Sequence, residues 1–429
     1  MSTLFPSRRP IAARAVVGLL VVGLASAACS SSPAASPSAG APSASVAAST
    51  AASPSAGAPS SAPSASVAAS TAALPAEVTI GATMDLTGPG AVYGAMMSHG
   101  MQVAVDEINA AGGVKGAVKL NLVVSDDVGQ AGLAVTQMRD LVSKNGAIAI
   151  ASMYSAPPLA QQSVGESLKV PVLNGGGGDP TLTGHPWLFN NVLTSDQLLA
   201  AVMSYLKDNK GVSKVAMIVS TDFSADGITR FQSLSKTVFG SDFTSFQTID
   251  PTNVTDLTPQ FQAILATNPD AIVVELSGAA LEVAFKDLAR LGWKGPIIGD
   301  VTTLSSPEAT TGPLAAQNYI GTTSFAGVPA ALVTEWKTKY PDQTPDYYGA
   351  NYYNVIKFVA EAMAHGIDQG WGVSGDSLQK ALDAGLTFST GCCGDFHFNS
   401  AHGAGSNVEI DTIANGKPTK IGELMAPQT

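Results

Sequence analysis

The chain has 429 residues, a formal net charge of −11 and only three cysteines. An acidic balance of this size argues against nucleic acid or an anionic membrane surface as a partner. The length is enough for two domains of ordinary size. No apolar run of about 20 residues occurs after residue 77, so this part of the sequence predicts no membrane-spanning helix.

The first 28 residues are typical of a signal peptide. An arginine-rich start without acidic residues precedes an apolar run (residues 15–25) that is too short to cross a bilayer. Small residues before Ala27 suit cleavage by ordinary signal peptidase, which would release a secreted protein. Residues 26–29 also resemble a bacterial lipobox, which predicts a protein anchored to the outer face of the cytoplasmic membrane by a lipid on Cys29.

Residues 29–76 form a low-complexity segment built from Ala, Ser, Pro and Gly. The repeat SPSAGAPSASVAASTAA begins at Ser36, and a longer version of it begins at Ser53. Such a segment lacks large apolar side chains, so it cannot bury enough surface to offset the entropy of ordering. The composition predicts a flexible tether of about 45 residues with an end-to-end distance of roughly 35–40 Å.

From residue 77 onward, strand and helix patterns alternate, which implies parallel sheets with helices on both faces. The first helix carries Met97, Met101 and Val105 on one face and ends at a pair of glycines. Thr258 is predicted to cap a later helix with Pro259 at its first position. The strands predicted from β-branched and apolar runs are residues 78–80, 118–124, 147–151, 171–173, 214–220, 245–249, 270–276, 296–299 and 408–413.

The stretch from residue 78 to residue 113 resembles the amino-terminal signature of type I solute-binding proteins of the leucine/isoleucine/valine family, which feed ABC importers. The resemblance rests on a small-residue strand, the TGP turn at residues 87–89, Tyr93 with Gly94, and the run DEINAAGG at residues 106–113. It implies an α/β fold of two lobes, each built on a doubly wound parallel sheet, with three crossings between the lobes.

The resemblance also assigns the segments of the chain to the two lobes. It implies that the first lobe consists of residues 77–194 and 322–404. The second lobe would consist of residues 195–321 and 405–429. The strand and helix pattern alone predicts two sheets but does not show these crossings.

The family holds a ligand carboxylate with hydroxyls and backbone N–H groups at the starts of first-lobe helices. The resemblance places these roles on Ser155 and on the loop of Gly176, Gly177 and Gly178, where free amides attract an anion without a full positive charge. Gly178 stands where the family has Thr or Ser. Tyr93 matches an aromatic residue that lines the family's cleft. The alternative to a binding role for Ser155 is that it only caps a helix. The alternative for Tyr93 is that it is a structural residue of the loop.

The ammonium group of an amino acid needs a carboxylate partner. Asp300, after the predicted strand at residues 296–299, lies near the acidic position of the family, and Asp222 is the second candidate. Either acid could instead cap a helix. The aromatic residue that the family often has after the third strand of the second lobe is missing here, because Glu275 and Leu276 stand at that place.

An enzyme is the main alternative to a binding protein, because many enzymes are built on doubly wound sheets. The glycine loop after residue 174 lacks the third glycine of a dinucleotide fingerprint, and the chain has no phosphate-binding loop, nucleophile elbow or HExxH motif. The sequence therefore predicts no catalysis and no cofactor.

Cys392 and Cys393 are adjacent and leave three interpretations open. With Cys29 lipidated, they would be alone in an oxidising compartment, which favours a disulfide between neighbours. Two free thiols are the second interpretation. A metal site with His397 and His402 is the third, but this spacing matches no standard zinc module, and we expect no metal.

Together these observations predict a lipid-anchored binding protein that captures a branched-chain or related amino acid and delivers it to an ABC permease. A short amide, urea or an aromatic acid is the alternative ligand. A ligand sensor of the same fold without a transporter is the alternative class of protein.

Overall fold

The computed structural model of the chain describes residues 73–88, 90–276, 278–301, 319–323, 328–389, 395–415 and 417–425. The leader, nearly all of the tether, Cys29, and the pair Cys392 and Cys393 lie outside the described residues. Among the described helices, none is both long enough and apolar enough to cross a bilayer.

The first sheet has five parallel strands in the order β2-β1-β3-β4-β5. Its elements are β1 (Glu77–Met84), α1 (Ala91–Ala110), β2 (Lys119–Asp126), α2 (Ala131–Asn145), β3 (Ala147–Ser152), α3 (Ala156–Leu168), β4 (Val172–Asn174) and β5 (Leu188–Asn190). A short 3-10 turn at Pro180–Leu182 separates the last two strands. The strands predicted for this part of the sequence are all present.

The second sheet has seven strands in the order β15-β14-β10-β9-β8-β6-β7. Its elements from residue 195 to residue 323 are α4 (Ser195–Lys210), β6 (Val215–Ser220), α5 (Ala225–Phe239), β7 (Phe246–Ile249), α6 (Thr258–Leu265), β8 (Ala271–Glu275), α7 (Gly278–Arg290), β9 (Ile297–Ile298) and β10 (Tyr319–Thr323). The chain completes the sheet with β14 (Asn407–Ala414) and β15 (Lys417–Met425).

The edge formed by β14 and β15 departs from the expected parallel sheet. β14 runs antiparallel to β10, and β15 runs antiparallel to β14. A connection as short as the one between β14 and β15 can join only antiparallel strands, because parallel strands need a long crossover. The second sheet is therefore mixed. Its other five strands, β7, β6, β8, β9 and β10 in spatial order, are parallel to one another as expected.

The segment between β10 and β14 packs against the first sheet's helices. It contains α8 (Ala330–Lys339), α9 (Tyr347–Asp368), α10 (Gly375–Leu382) and a small sheet of β11 (Phe388–Ser389), β12 (Asp395–Phe398) and β13 (Ala404–Gly405). α9 lies along α1 so closely that a side chain at Gly100 would come within 2.1 Å of the Gly349 carbonyl oxygen. The chain therefore crosses between the two lobes three times, after β5, after β10 and before β14.

Both faces of the second sheet are covered. Every residue of β6 is buried, and alternate residues enter different cores, because successive side chains of a strand point to opposite faces. Val215, Met217 and Val219 join the core on one face, whereas Ala216 and Ile218 join the core on the other. This is the burial pattern of a doubly wound sheet.

The start of α6 differs from the sequence prediction. The residue in the cap position is Leu257, so Thr258 is the first residue of the helix and Pro259 is the second. The capping role belongs to the side chain of Asp256, whose Oδ1 accepts a hydrogen bond from the Thr258 N–H at 3.1 Å. An acid just outside a helix satisfies a free N–H as well as a capping threonine does.

Candidate functional site

A cavity of about 380 Å³ lies between the ends of the two sheets. Its walls come from loops that follow the carboxyl ends of β3, β4, β6, β8 and β9, where open α/β sheets bind ligands. The predicted residues that line it are Ser155, Gly176, Gly177, Gly178, Asp222 and Asp300. The structure thus brings six of the seven predicted ligand-binding residues to one cavity.

Tyr93 is the predicted residue that does not line the cavity. Its side chain is 46% exposed at the start of α1. The Tyr93 ring contacts the ring of Tyr348 edge to face, with the centroids 5.5 Å apart. Because Tyr348 is a lining residue, Tyr93 borders the cavity through this neighbour.

Ser155 precedes α3 but does not cap it, because its side chain accepts no hydrogen bond from that helix. Its Oγ instead accepts a hydrogen bond from the Asp179 N–H at 3.2 Å. The hydroxyl hydrogen can therefore donate to an oxygen atom in the cavity.

The glycine loop fits closely against both lobes. A Cβ atom at Gly177 would lie 2.1 Å from the carbonyl oxygen of Tyr154. A Cβ atom at Gly178 would lie 2.7 Å from Oγ of Ser195, the first residue of α4. In addition, the Ser195 N–H donates to the Gly178 carbonyl at 2.8 Å. The Ser195 hydroxyl thus occupies the space beside Gly178, where the family resemblance implies a hydroxylated side chain.

Tyr154 forms part of the first-lobe wall in an unusual backbone conformation. Its φ of 62° lies in the left-handed region, which is rare for a bulky residue. The Tyr154 hydroxyl donates to Oδ2 of Asp85 at 3.3 Å, and the same carboxylate accepts the N–H groups of Gly88 and Gly90 at 2.6 and 2.9 Å. Burial raises the pKa of Tyr154, so it stays a neutral donor. The Asp85 carboxylate therefore links the loop before α1 to the side chain of Tyr154.

The second-lobe wall carries three carboxyl groups. Asp300 is 5% exposed, and its Oδ2 accepts a hydrogen bond from the Ser195 hydroxyl at 3.0 Å. Glu275, the last residue of β8, is also 5% exposed and lines the cavity. Burial first, and then the negative charges of Asp300 and Asp222, raise the pKa of Glu275 well above its usual value. The described residues contain no group of three acids, histidines or cysteines arranged to hold a metal ion.

Glu275 is the lining carboxyl of the second lobe that the sequence did not lead us to place in the site. It ends a strand whose five residues are all buried, and such a run is typical of core rather than of a site. The signal that could have identified it is a charged residue at the end of a predicted parallel strand, next to the position of an absent aromatic residue.

The cavity is chemically asymmetric. The first lobe offers the Ser155 hydroxyl and the N–H groups of Gly177 and Gly178, since the Gly176 N–H already donates to Asn174 Oδ1 at 3.3 Å. The first-lobe carboxylate in the lining, Asp179, is hydrogen-bonded to Thr181 and Ser224, whereas the second lobe offers the carboxyl groups of Asp222, Glu275 and Asp300. None of its described lining residues is Lys, Arg or His. Such an arrangement suits a small molecule with an electron-rich end and a cationic end.

Hydrogen bonds also join the lobes beside the cavity. The Asp179 carboxylate, which follows the glycine loop, accepts the Ser224 N–H at 2.7 Å and the Ser224 hydroxyl at 3.0 Å. Arg230 donates to the Pro180 carbonyl at 2.8 Å. Since Ser224 caps α5, the start of a second-lobe helix is bound to a first-lobe loop.

His402, a ligand in the metal interpretation, has other partners. Its Nδ1 lies 2.9 Å from the His185 carbonyl oxygen and its Nε2 lies 2.8 Å from Oδ1 of Asp383. The ring stacks on Phe189 at a centroid distance of 4.3 Å. With both nitrogens hydrogen-bonded, His402 is a packing residue of the first lobe.

Comparison with known proteins gives matches along most of the chain. The profile of the family described as "Periplasmic binding protein" matches residues 77–416. The Leu/Ile/Val-binding protein BraC3 of Rhizobium johnstonii is 31% identical over 118 residues, which are 22% of this chain and 32% of that protein. An "Amino acid binding protein" of Pseudomonas aeruginosa is 30% identical over 156 residues, which are 36% of this chain and 41% of that protein. The chain thus aligns with about a third to two-fifths of the length of these relatives.

Solved structures share the fold over nearly their whole length. The branched-chain amino acid transporter substrate-binding protein LivJ of Streptococcus pneumoniae, in complex with isoleucine, superposes with a TM-score of 0.67 at 22% identity, covering 81% of this chain and 99% of that one. A solute-binding protein of Rhodopseudomonas palustris, in complex with 3,4-dihydroxybenzoic acid, gives a TM-score of 0.66 at 19% identity, covering 82% of this chain and 99% of that one. The family profile and the shared two-lobed fold confirm the resemblance, and the chain belongs to the type I periplasmic binding proteins, in the family that includes the leucine/isoleucine/valine-binding proteins.

Proposed function

We propose that this protein captures a small solute with a carboxylate and a protonated amine, in the first place a branched-chain or related amino acid, and delivers it to an ABC importer. The observation that carries the proposal is the uneven lining of the cavity. Amide and hydroxyl donors lie on the first lobe, whose one lining carboxylate, Asp179, is hydrogen-bonded within the protein, and three further carboxyl groups lie on the second lobe. The names of the relatives, which include Leu/Ile/Val-binding and amino acid binding proteins, support the same ligand class.

The two ends of the ligand would bind to different lobes. The Ser155 hydroxyl and the N–H groups of the glycine loop would hold the carboxylate, as helix N-termini and free amides do for other anions. Asp300 or Asp222 would hold the ammonium group. Because one ligand then contacts both lobes, binding would stabilise the closed arrangement.

The alternative ligands differ in charge. An aromatic acid, such as the one in the similar Rhodopseudomonas palustris structure, has no cationic group. Asp222 and Asp300 would then face it without a counter-charge, which costs binding free energy. A short amide or urea would avoid repulsion but would leave the carboxylates without an ionic partner. These considerations favour an amine-bearing ligand, and they apply equally to a sensor of the same fold without a transporter.

We further propose that the ligand leaves chemically unchanged. The family consists of solute-binding proteins, and the cavity offers features for recognition at both ends of a solute. Incubation of each binding ligand with the protein, followed by mass spectrometry, would detect any product.

A thermal-shift screen of amino acids, amides and aromatic acids tests the ligand class. A ligand at 100 times its Kd stabilises the folded protein by about 2.7 kcal/mol. For the best amino acid, Asp300→Ala or Asp222→Ala should then weaken binding by about 2–5 kcal/mol. Ser155→Ala should cost only about 1–3 kcal/mol, because the neighbouring amides remain.

A matched control is Asp226→Ala, which removes an exposed acid from the first turn of α5 and should leave the affinity unchanged. If both Asp300→Ala and Asp222→Ala bind the amino acid as tightly as the parent, the two-ended arrangement is wrong and an uncharged ligand is the better interpretation.

We also propose that a lipid on Cys29 holds the protein at the outer face of the cytoplasmic membrane. The basic leader and the tether that follows Cys29 in the sequence support this. A Cys29→Ala protein should appear in the medium, whereas a variant that stays with the membrane fraction would contradict the anchor.

A further inference from the structure

Two buried asparagines, Asn174 and Asn190, connect the glycine loop to the first crossing between the lobes by side-chain hydrogen bonds. We infer that they are positioning residues, which hold the free amides of the loop in place for the ligand and couple the loop to the crossing at residues 191–194. The role of the amides rests on the proposed function, whereas the connection rests on the hydrogen bonds alone.

The glycine loop is held at its two ends. At one end, the Gly176 N–H donates to Oδ1 of Asn174 at 3.3 Å. At the other end, the Gly178 carbonyl accepts the Ser195 N–H at 2.8 Å. In the part of the chain that the structure describes, the N–H groups of Gly177 and Gly178 have no hydrogen-bond partner. Since both residues line the cavity, the two fixed ends determine where these donors lie.

Asn174 reaches from the loop to the neighbouring strand. It is the last residue of β4 and has no exposed surface. Its Nδ2 donates to Oδ1 of Asn190 at 2.9 Å. A Cβ atom at Gly177 would lie 2.7 Å from the same Nδ2, so the Asn174 amide packs against the middle of the loop as well as its end. The Tyr352 hydroxyl lies 3.3 Å from Asn174 Oδ1 and helps to fix the amide.

Asn190 continues the connection to the crossing. It is the last residue of β5, it is fully buried, and its Nδ2 donates to the Val192 carbonyl at 2.9 Å. Val192 lies between β5 and α4 and lines the cavity. Residues at the ends of such elements absorb the backbone changes when lobes open and close. The chain of hydrogen bonds therefore runs from the binding loop to a segment that must adjust during closure.

The connection requires a primary amide at both positions. Each side chain accepts a hydrogen bond with its oxygen and donates one with its nitrogen, which an apolar residue of similar size cannot do. Because both amides are buried and fully hydrogen-bonded, a shift of the loop disturbs the crossing, and the reverse. A carboxylate held by the loop then favours one arrangement of the crossing, which links ligand binding to lobe closure.

Asn190→Ala tests the connection, because Asn190 has no hydrogen bond to the loop and does not line the cavity. We expect this variant to bind L-leucine about tenfold or more weakly than the parent in calorimetry. The Gly176 N–H of the unliganded variant should exchange with deuterium faster than in the parent, as measured by NMR. The matched control, Asn109→Ala, removes two hydrogen bonds between α1 and Leu120 away from the cavity and should change neither quantity.

Asn190→Asp separates the hydrogen bonds from packing. While the new carboxyl is protonated, it accepts from Asn174 and donates to the Val192 carbonyl as the amide does, and burial raises its pKa. Once ionised, it has no proton for Val192. We expect its leucine affinity relative to the parent to be near that of the parent at about pH 5 and to fall about tenfold by about pH 8. A loss of packing alone would give the same ratio at both pH values.

The outcomes separate this inference from the proposed function. Unchanged leucine affinity in Asn190→Ala overturns the coupling and leaves the proposed function intact. A ratio for Asn190→Asp that does not change with pH also overturns it, and this comparison suffices if Asn190→Ala does not fold. If neither leucine nor any other amino acid binds to the parent, the proposed function fails. The exchange rate of the Gly176 N–H then decides the connection alone, and an unchanged rate in the Asn190 variants overturns it.

Discussion

The Asp179 carboxylate of the first lobe accepts hydrogen bonds from both the N–H and the hydroxyl of Ser224 in the second lobe, at 2.7 and 3.0 Å. Asp179 is 2% exposed, so these bonds are shielded from water. They can form only while the two lobes are close together, and they favour the closed arrangement whether or not a ligand is present.

We expect Asp179→Ala to favour an open arrangement. Hydrogen bonds to a charged group contribute about 1.5–3 kcal/mol each, so closure should become weaker and ligand affinity should fall about tenfold to hundredfold. Small-angle X-ray scattering should detect a larger radius of gyration for the unliganded variant. The exposed Asp226 provides the control, because Asp226→Ala should change neither quantity, and an Asp179→Ala protein with the parent's radius and affinity would contradict the prediction.

The pH dependence of stability should reveal the raised pKa of Glu275. A carboxyl whose pKa is higher in the folded than in the unfolded protein binds more protons when folded, so the free energy of unfolding falls as pH rises from about 4.5 through the folded-state pKa. Glu275→Gln cannot ionise, so it should be more stable than the parent at pH values above that range, and the difference in the free energy of unfolding should grow as pH rises.

Thermal unfolding of the parent and Glu275→Gln across this pH range checks the prediction. Asp127 and Asp346 also have raised pKa values, but they are present in both proteins, so the difference between the two Tm curves isolates Glu275. A difference that does not grow with pH would show that Glu275 is ionised in the folded protein.

Alanine at two neighbouring glycines should have different effects. Gly177→Ala places a Cβ atom against the main-chain oxygen of Tyr154, which cannot move without its strand end, so we expect a loss of about 1–3 kcal/mol in stability. Gly178→Ala meets only the Ser195 hydroxyl, which can rotate away. It should cost less stability but should remove the hydrogen bond from Ser195 to Asp300. Denaturant unfolding and ligand titration of both variants test this contrast, and equal losses in stability would contradict it.

Tyr352 should be a strong stabilising residue of the first lobe. Its hydroxyl, on α9, donates to the Ser152 carbonyl at 2.5 Å, and the side chain is fully buried. Tyr352→Phe leaves that carbonyl without its donor and should cost about 1–3 kcal/mol. Tyr205→Phe removes a hydroxyl that bonds to the Ile421 carbonyl at an exposed site, and it should cost much less. Similar midpoints for the two variants in urea would count against the prediction.

The sequence predicts the alternation of strands and helices because that information is local. The β-branched run at the start of β1 and the apolar spacing of Met97 and Met101 are visible within a few residues. The antiparallel direction of β14 cannot be read from a few neighbouring residues, because it depends on the distant strand with which β14 pairs. Glu275 was not predicted for a related reason, since the negative charges of Asp300 and Asp222 that surround it belong to other strand ends and come near it only after the second sheet has formed.

The close contact between Gly100 of α1 and Gly349 of α9 has a consequence for the order of folding. The five strands of the first lobe are complete by residue 190, yet α1 keeps an uncovered apolar face until α9 docks on it. The first lobe therefore cannot finish folding without a segment that follows most of the second lobe in the chain. Folding that waits for a contact between such distant segments is slow, and it leaves apolar surface exposed in the meantime.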